Sequence, residues 1–433
     1  MKKTGIFALF PRTLLIFMIG MVFANVASMM YMPLLPLYLQ HLGADVGQVG
    51  LFFTLSAILP LFFQIFGGWI SDSIGRLRAV AIGGVAGFLT FIFFLLAPSW
   101  EWALLAMAVM AIGRSFVAPS FRAFIAEQSS EDNRGKVFGI ADTIFAVVGV
   151  IGPPLGGWIS DQFGFQVMFI VAGAIFFVAT VIRISMAFSL RKQPATETNT
   201  PKTERPSWKG MKSSFSALFV MLISGGIMTW ILINDGIIDI TFGMMNQLLP
   251  IYMQNEIGIS LTQIGFLESI AGIATMVVMA GAGWLSDKKG EKLGIALGNL
   301  LFGGALAIFL ISQNIYGLIL SWALFGMGSG MVSPAYNSLI SKAVPEKLRG
   351  MAFGLFSTSV GLISLPSPFI GAFLYETFSP RLPFILPMFA LLISVPLVWS
   401  KFDLKKYPPV EKEVEKETEL VPANVELAAG QAD

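Results

Sequence analysis

The 433-residue chain is 55% hydrophobic and only 12% charged, with a mean hydropathy of +0.76. In a soluble domain that balance would leave apolar surface facing water, so the chain reads as an integral membrane protein. A net charge of +2 makes no case for a nucleic-acid partner, and the absence of cysteine excludes disulfides and thiol-ligated metals.

Crossing a bilayer takes about 20 consecutive apolar residues in a helix. Runs of that kind fall at 13–39, 47–71, 79–97, 101–124, 137–158, 165–187, 226–253, 261–285, 293–312, 315–338, 350–373 and 382–400. The first is too long for a signal peptide and no small-residue cleavage site follows it, so no cleavable signal is expected. Among the 28 Lys and Arg residues, Arg114, Arg122 and Arg183 fall within spans and Arg381 lies opposite the termini. The remaining 24 share the side of the termini. Basic residues collect on the cytoplasmic face, which predicts a multi-pass protein of the cell membrane with both termini cytoplasmic. The lone histidine, His41, falls in the first outer loop and carries no assigned role.

Residues 1–187 form a first half of six spans, 188–214 a polar Pro/Thr-rich linker, and 215–400 a second six-span half. The stretch Ser213–Gly226 is apolar and either lies at the interface or extends the seventh helix. The tail 401–433 is charged and low in aromatics, as expected of a solvated or disordered end.

The halves are copies at a shift of 215 residues. Gly68-Trp69-Ile70-Ser71-Asp72 returns as Gly283-Trp284-Leu285-Ser286-Asp287, and Gly75 returns as Gly290. Gln48, Pro119, Gly135, Gly139, Pro153 and Gly156 map to Gln263, Pro334, Gly350, Gly354, Pro368 and Gly371. Six spans separate the copies, so both enter from one side as parallel repeats about an axis along the membrane normal. The expected architecture is an all-α integral membrane protein of 12 transmembrane helices in two six-helix parallel-repeat halves.

With these residues in view, the chain from about 10 to 400 resembles a major facilitator superfamily transporter. The turn after the second span, with Gly68, Asp72, Gly75, Arg76 and Arg78, is similar to that family's G-x-x-x-D-x-x-G-R-x-R signature. Asp287 marks its weaker copy. Gly139, Gly152, Pro153, Gly156 and Gly157 in the fifth span resemble the G-P-x-x-G-G element of the drug–proton antiporters in that family. The resemblance implies alternating access, with the first turn locking the cytoplasmic side when the transporter faces outward.

The residue types carry their own physical reasons. Small side chains at Gly68 and Gly67 let helices approach closely. Asp72 suits the positive N-terminus of a neighbouring helix, Gly75 permits a tight turn, and Arg76 and Arg78 suit headgroups or a carboxylate. Arg76 and Glu127 map to Glu291 and Lys342, so both signs reverse together. Paired reversal preserves attraction, and predicts the pairs Arg76–Glu127 and Glu291–Lys342. The other reading of these turns is a positive-inside anchor alone.

Charges inside spans are costly and face a cavity or a partner. Asp235 and Asp239 stand four residues apart on one face of the seventh span. Two stacked carboxylates cannot both ionise cheaply, so one is expected to hold a proton, as a proton-coupling site requires. The competing reading is a salt bridge to an arginine of another helix. Arg114 and Asp142 map to Ser329 and Ser357, so the two charges occur together in one half only. Depths about 8 Å apart, at 1.5 Å per residue, would let the arginine bridge to Asp142, with Arg122 as a competing partner. Glu268 is a further cavity candidate. Asn25, Tyr31, Asn234, Asn246, Gln247, Tyr336 and Asn337 are candidates to touch substrate. The glycines of the fifth span suit either a rocking helix or ordinary close packing.

These features point to a proton-coupled antiporter that exports small lipophilic or cationic compounds, driven by the proton gradient without a cofactor or metal and working as a monomer. Alternatives are a proton-linked importer or lipid carrier on the same scaffold, and a non-transporting membrane sensor. The chain has no Walker-type loop for direct coupling to ATP and no metal or nucleophile–base set suggesting an enzyme.

Overall fold

The computed structural model describes residues 11–129, 133–189, 226–344, 358–403 and 406, with side chains described for all of these except 64–73, 280 and 287. Lipid offers no partner to backbone N–H and C=O groups, so each crossing satisfies its own as a helix. In chain order the crossings are α1 (Arg12–His41), α2 (Val46–Ile74), α3 (Arg76–Leu96) and α4 (Trp100–Gln128). A continuous helix Arg134–Ser189 follows, 56 residues long. At 1.5 Å per residue it would reach about 84 Å, well over twice the bilayer core. It breaks at Gly164, whose φ of 84° and ψ of 165° are non-helical, and so divides into α5 (134–163) and α6 (165–189).

The second half comprises α7 (Ile227–Asn246), α8 (Leu261–Lys289), α9 (Glu291–Ile311), α10 (Ile315–Ala343), α11 (Thr358–Thr377) and α12 (Leu382–Lys401). Among the described residues these make the twelve expected crossings. The expected linker lies almost wholly outside the described residues, as does most of the tail.

The repeat is visible at atomic level. At the start of α2 the Gln48 N–H donates to Asp45 Oδ1 at 2.7 Å, and the Asp45 N–H donates back to Gln48 Oε1 at 3.0 Å. At α8 the Gln263 N–H donates to Ser260 Oγ at 3.3 Å and the Ser260 N–H to Gln263 Oε1 at 3.0 Å. These reciprocal bonds satisfy N–H groups that a helix start leaves unpaired. Gly75 and Gly290 have φ of 91° and 90°, a backbone few other residues adopt, and turn α2 into α3 and α8 into α9.

Packing within the first half brings together α2 with α4, α3 with α4 and α6, and α1 with the long α5–α6 helix. The second half repeats this with α8 on α10, α9 on α10 and α12, and α7 on α11 and α12. The halves meet along α5 with α8 and α2 with α11.

Where they meet is unequal. At the end away from the charged turns, one core runs through both halves, with Tyr31, Tyr38 and Phe169 from the first and Tyr252, Phe309 and Phe384 from the second. At the turn end each half has its own core: Leu14, Phe17, Val80 and Phe124 in one, and Ile227, Ile295, Leu339 and Val398 in the other. Polar bonds between halves follow the same division. The Gly47 N–H donates to Glu376 Oε1 at 2.9 Å, Thr262 Oγ1 to Asp161 Oδ2 at 2.7 Å, and Ser269 Oγ to the Val150 carbonyl at 2.6 Å. Among the described residues the halves share one core at the end away from the turns and keep separate cores at the turn end.

Candidate functional site

The two turns hold the paired charges that their reversed signs anticipate. Arg76 Nε donates to Glu127 Oε1 at 3.3 Å, and the Lys342 ammonium donates to Glu291 Oε1. Ser338 Oγ adds a bond to the same Glu291 oxygen at 2.9 Å. Arg76 and Glu291 each open a helix just after the turn glycine. A helix start carries partial positive charge, which suits Glu291 and opposes Arg76. Glu127 offsets that repulsion in the first half. Arg78 is exposed, and the surroundings of Gly68 and the side chains of Asp72 and Asp287 lie outside what the structure describes.

On α7, Asn234 is buried within a hydrogen-bonded chain that crosses four helices. Asn299 Nδ2 on α9 donates to Ser394 Oγ on α12 at 2.8 Å, and that hydroxyl donates to Asn234 Oδ1 at 2.6 Å. Asn234 Nδ2 donates to the Tyr336 hydroxyl on α10 at 2.8 Å, and Tyr336 interacts in turn with the Asp235 carboxylate. Asn234 and Tyr336 therefore spend their polar groups inside the bundle. Asp239, one turn further on, is exposed. Among the described residues, neither aspartate forms an ion pair, so the salt bridge to another helix is not realised. Asn299 and Ser394 escaped the sequence reading. Each is one polar residue in an apolar run, with no spacing that marks its partner.

Two cavities carry charged side chains on their walls. The first, about 290 Å³, is lined by Asn25, Ser28, Arg114, Phe121, Phe176 and Arg183 among others. The second, about 390 Å³, lies between α5 and the second half, where Asn246, Glu268, Trp322, Phe325 and Ser329 line it. There Trp322 Nε1 donates to Glu268 Oε1 at 3.2 Å, fixing a carboxylate at the cavity wall.

Several expectations are corrected. Tyr31 does not face a cavity: it is 1% exposed and packs its ring against Phe91, Phe94 and Phe169 at centroid distances of 5.5, 5.3 and 5.7 Å. Arg114 does not bridge to Asp142. Its Nη2 donates to Met32 Sδ at 3.1 Å, while Asp142 and Arg122 are exposed and form no ion pair among the described residues. Helical rise placed Arg114 and Asp142 at similar depth but left their rotation about the helix axes open. Gln247 is half-buried and Asn337 exposed, and neither lines the two cavities.

The glycines of α5 meet neighbouring backbone closely. A Cβ on Gly156 would lie 1.8 Å from the Met30 carbonyl oxygen, and one on Gly157 would lie 2.3 Å from that of Leu261. Gly152 abuts the Met29 side chain, and Pro153 places its carbonyl against Gly265 of α8. A Cβ on Gly139 would meet nothing within 4 Å. Helix α5 thus touches α1 on one side and the other half on another, the position of a joint between halves.

The sequence profile described as Major Facilitator Superfamily matches residues 17–235 and 236–430. The chain belongs to the Major Facilitator Superfamily. It is a multi-pass membrane protein of a transporter family. The chain is similar to the multi-drug resistance efflux pump PmrA homolog of Lactococcus lactis subsp. lactis (strain IL1403), at 27% identity over 92% of this chain and 96% of that protein. It is 24% identical to a Na(+), Li(+), K(+)/H(+) antiporter of Planococcus maritimus, covering 80% of this chain and 85% of the other. A shorter match, 31% identical over 38% of this chain and 43% of the relative, is to the quinolone resistance protein NorA of Staphylococcus aureus (strain MRSA252). Among solved structures, the peptide transporter POT in complex with sulfate superposes with a TM-score of 0.70 at 16% identity, over 92% of this chain and 94% of that one. That likeness shows the fold alone.

Proposed function

We propose that this chain is a proton-coupled antiporter that exports small lipophilic or cationic compounds by alternating access. The observation that carries the reading is on α7: Asp235 lies beside Tyr336 and Asn234, with no cationic partner among the described residues, and Asp239 stands exposed one turn away. A carboxylate at membrane depth without a counter-ion gains by binding a proton. The two aspartates form the proton-coupling site, and the carboxylate-bearing second cavity suits a cationic or lipophilic cargo. The relatives, two of them efflux or resistance proteins and one a cation/proton antiporter, support this reading.

The basic residues favour a cytoplasmic turn end, and the core shared at the opposite end fits an inward-facing state, the loading state of an exporter. The turn pairs Arg76–Glu127 and Glu291–Lys342, each made within one half, brace the turn loops while the halves move.

The test is flux in proteoliposomes under an imposed proton gradient, across a panel of lipophilic and cationic dyes. Uptake should follow the gradient and vanish when it is collapsed. Gradient-independent flux, or unchanged flux when Asp235→Asn and Asp239→Asn are combined, overturns proton coupling and leaves the fold untouched.

A further inference from the structure

The cavity in the first half holds two arginines and no carboxylate. Arg183, on α6, is 4% exposed. Its Nη2 donates to Met21 Sδ at 3.1 Å, its Nε has no acceptor, and its guanidinium carbon stands 5.6 Å from the centroid of Phe176. Arg114, on α4, is bonded through Nη2 to Met32 Sδ at 3.1 Å. A guanidinium carries five N–H donors, and a thioether is a weak acceptor. Both cations therefore have few protein acceptors; Arg183 is buried where an unpaired charge is expensive, and Arg114 is exposed on the same wall.

The remaining polar groups on the wall do not answer that need. Asn25 Nδ2 donates to the Met21 carbonyl at 2.8 Å, and Ser28 Oγ donates to that of Ala24 at 3.0 Å. Nor does the scaffold require the arginines. At the 215-residue shift Arg114 corresponds to Ser329 and Arg183 to Val398, the latter fully buried in an apolar core. The second half folds the same way with neither charge. Helix α3 makes room for Arg183: a Cβ on Gly84 would already lie 3.1 Å from its Cδ. Phe121, Phe145 and Phe176 supply an aromatic wall around the charged part.

We propose that this cavity is a binding site for the carboxylate of a lipophilic organic acid, with Arg183 and Arg114 as the groups that hold the anion. A carboxylate takes charge-assisted bonds from guanidinium donors, and supplies the negative charge that the wall of this cavity lacks. The aromatic wall takes the hydrocarbon body. This rests on the reading that the chain carries small lipophilic compounds, and adds an acid group to the cargo it selects.

The test uses the full chain in lipid nanodiscs and isothermal titration at neutral pH with 2-naphthylacetate, its primary amide, and formate. The acid should bind at least about tenfold more tightly than the amide, given the strength of charge-assisted bonds. Arg183→Gln and Arg114→Gln should each remove most of that preference while changing amide binding by less than about twofold. If Arg183→Gln does not fold, Arg114→Gln decides alone. Equal binding of acid and amide overturns the proposal. So does a preference that persists in the folded variants, or formate binding as tightly as the acid, which marks a site for small ions only. The antiporter reading is separable by dye flux in the same preparation. Proton-driven dye export without an acid preference sinks this site alone. An arginine-dependent acid preference without proton-driven export sinks the antiporter reading and leaves the site standing.

Discussion

Arg76 Nε stands 3.3 Å from Glu127 Oε1, and at the equivalent place in the second half Glu291 meets Lys342 with both charges exchanged. The interaction is preserved while its polarity is not, so attraction between the two loops is what the architecture retains. Arg76→Glu should abolish most transport, and adding Glu127→Arg should restore a substantial part. Thermal stability should move by less than about 1 kcal/mol, because solvent-accessible ion pairs contribute little to folding. Flux assays and melting curves on the single and double variants check this. Failure of the double variant to recover any flux removes this role for the pair.

The Asp235 neighbourhood makes a second prediction. Tyr336→Phe keeps the ring and deletes the hydroxyl that joins Asn234 to Asp235. A hydrogen bond involving a charged group is worth roughly 1.5–3 kcal/mol, or about tenfold or more in an equilibrium. Gradient-driven flux should fall by about that factor, with the protein still folded. Asp235→Asn should lose gradient-driven flux yet retain exchange of cargo at equal pH, which needs no net proton movement. Loss of both activities together with a normal melting curve would count against a proton-coupling role.

Two glycines of α5 should behave oppositely. A side chain at Gly156 collides with the Met30 backbone, which cannot rotate away. Gly156→Ala should destabilise by about 1–3 kcal/mol or more, the usual cost of overpacking. Gly139→Ala meets open space and should be neutral or stabilising by roughly 0.5–1 kcal/mol, the helix-propensity difference. Thermal unfolding of the purified variants measures both.

The closed end can be tested through Glu376, whose Oε1 accepts from the Gly47 N–H of the other half at 2.9 Å. Glu376→Ala should weaken this closure by about 1 kcal/mol, roughly a fivefold shift toward opening. The chain has no cysteine, so a pair introduced at Gln40 and Asn255, whose side chains meet at 3.5 Å, reports the gap without interference. Cross-linking of that pair should be efficient in the parent and slower with Glu376→Ala.

Much of this organisation is legible in the chain. The run lengths give the crossings, and the 215-residue shift gives the two halves. Gln48 and Gln263 turn out to close the same reciprocal cap at the start of α2 and α8. The turn pairs were readable because two linked sign changes carry information that one charge does not. Arg183 was not readable as a ligand. A single cation in a span announces its cost, but the methionine partners and the missing acceptor exist only after α1, α3 and α6 pack together. Tyr31 was misplaced for a related reason: its polar tip suggested a cavity, and packing turned its ring into the aromatic core.

By itself the sequence determined how many times the chain crosses the bilayer, that it does so twice over, and which turn charges attract. Those follow from run length, internal repetition and charge sign, all properties of the linear chain. The tertiary structure decided which way each polar residue looks, that Arg114 and Arg183 share one cavity, and at which end the halves close. In spans apolar on every side, hydrophobic periodicity leaves rotation about the helix axis undetermined. Only close packing between helices, through contacts such as Gly156 against Met30, settles it.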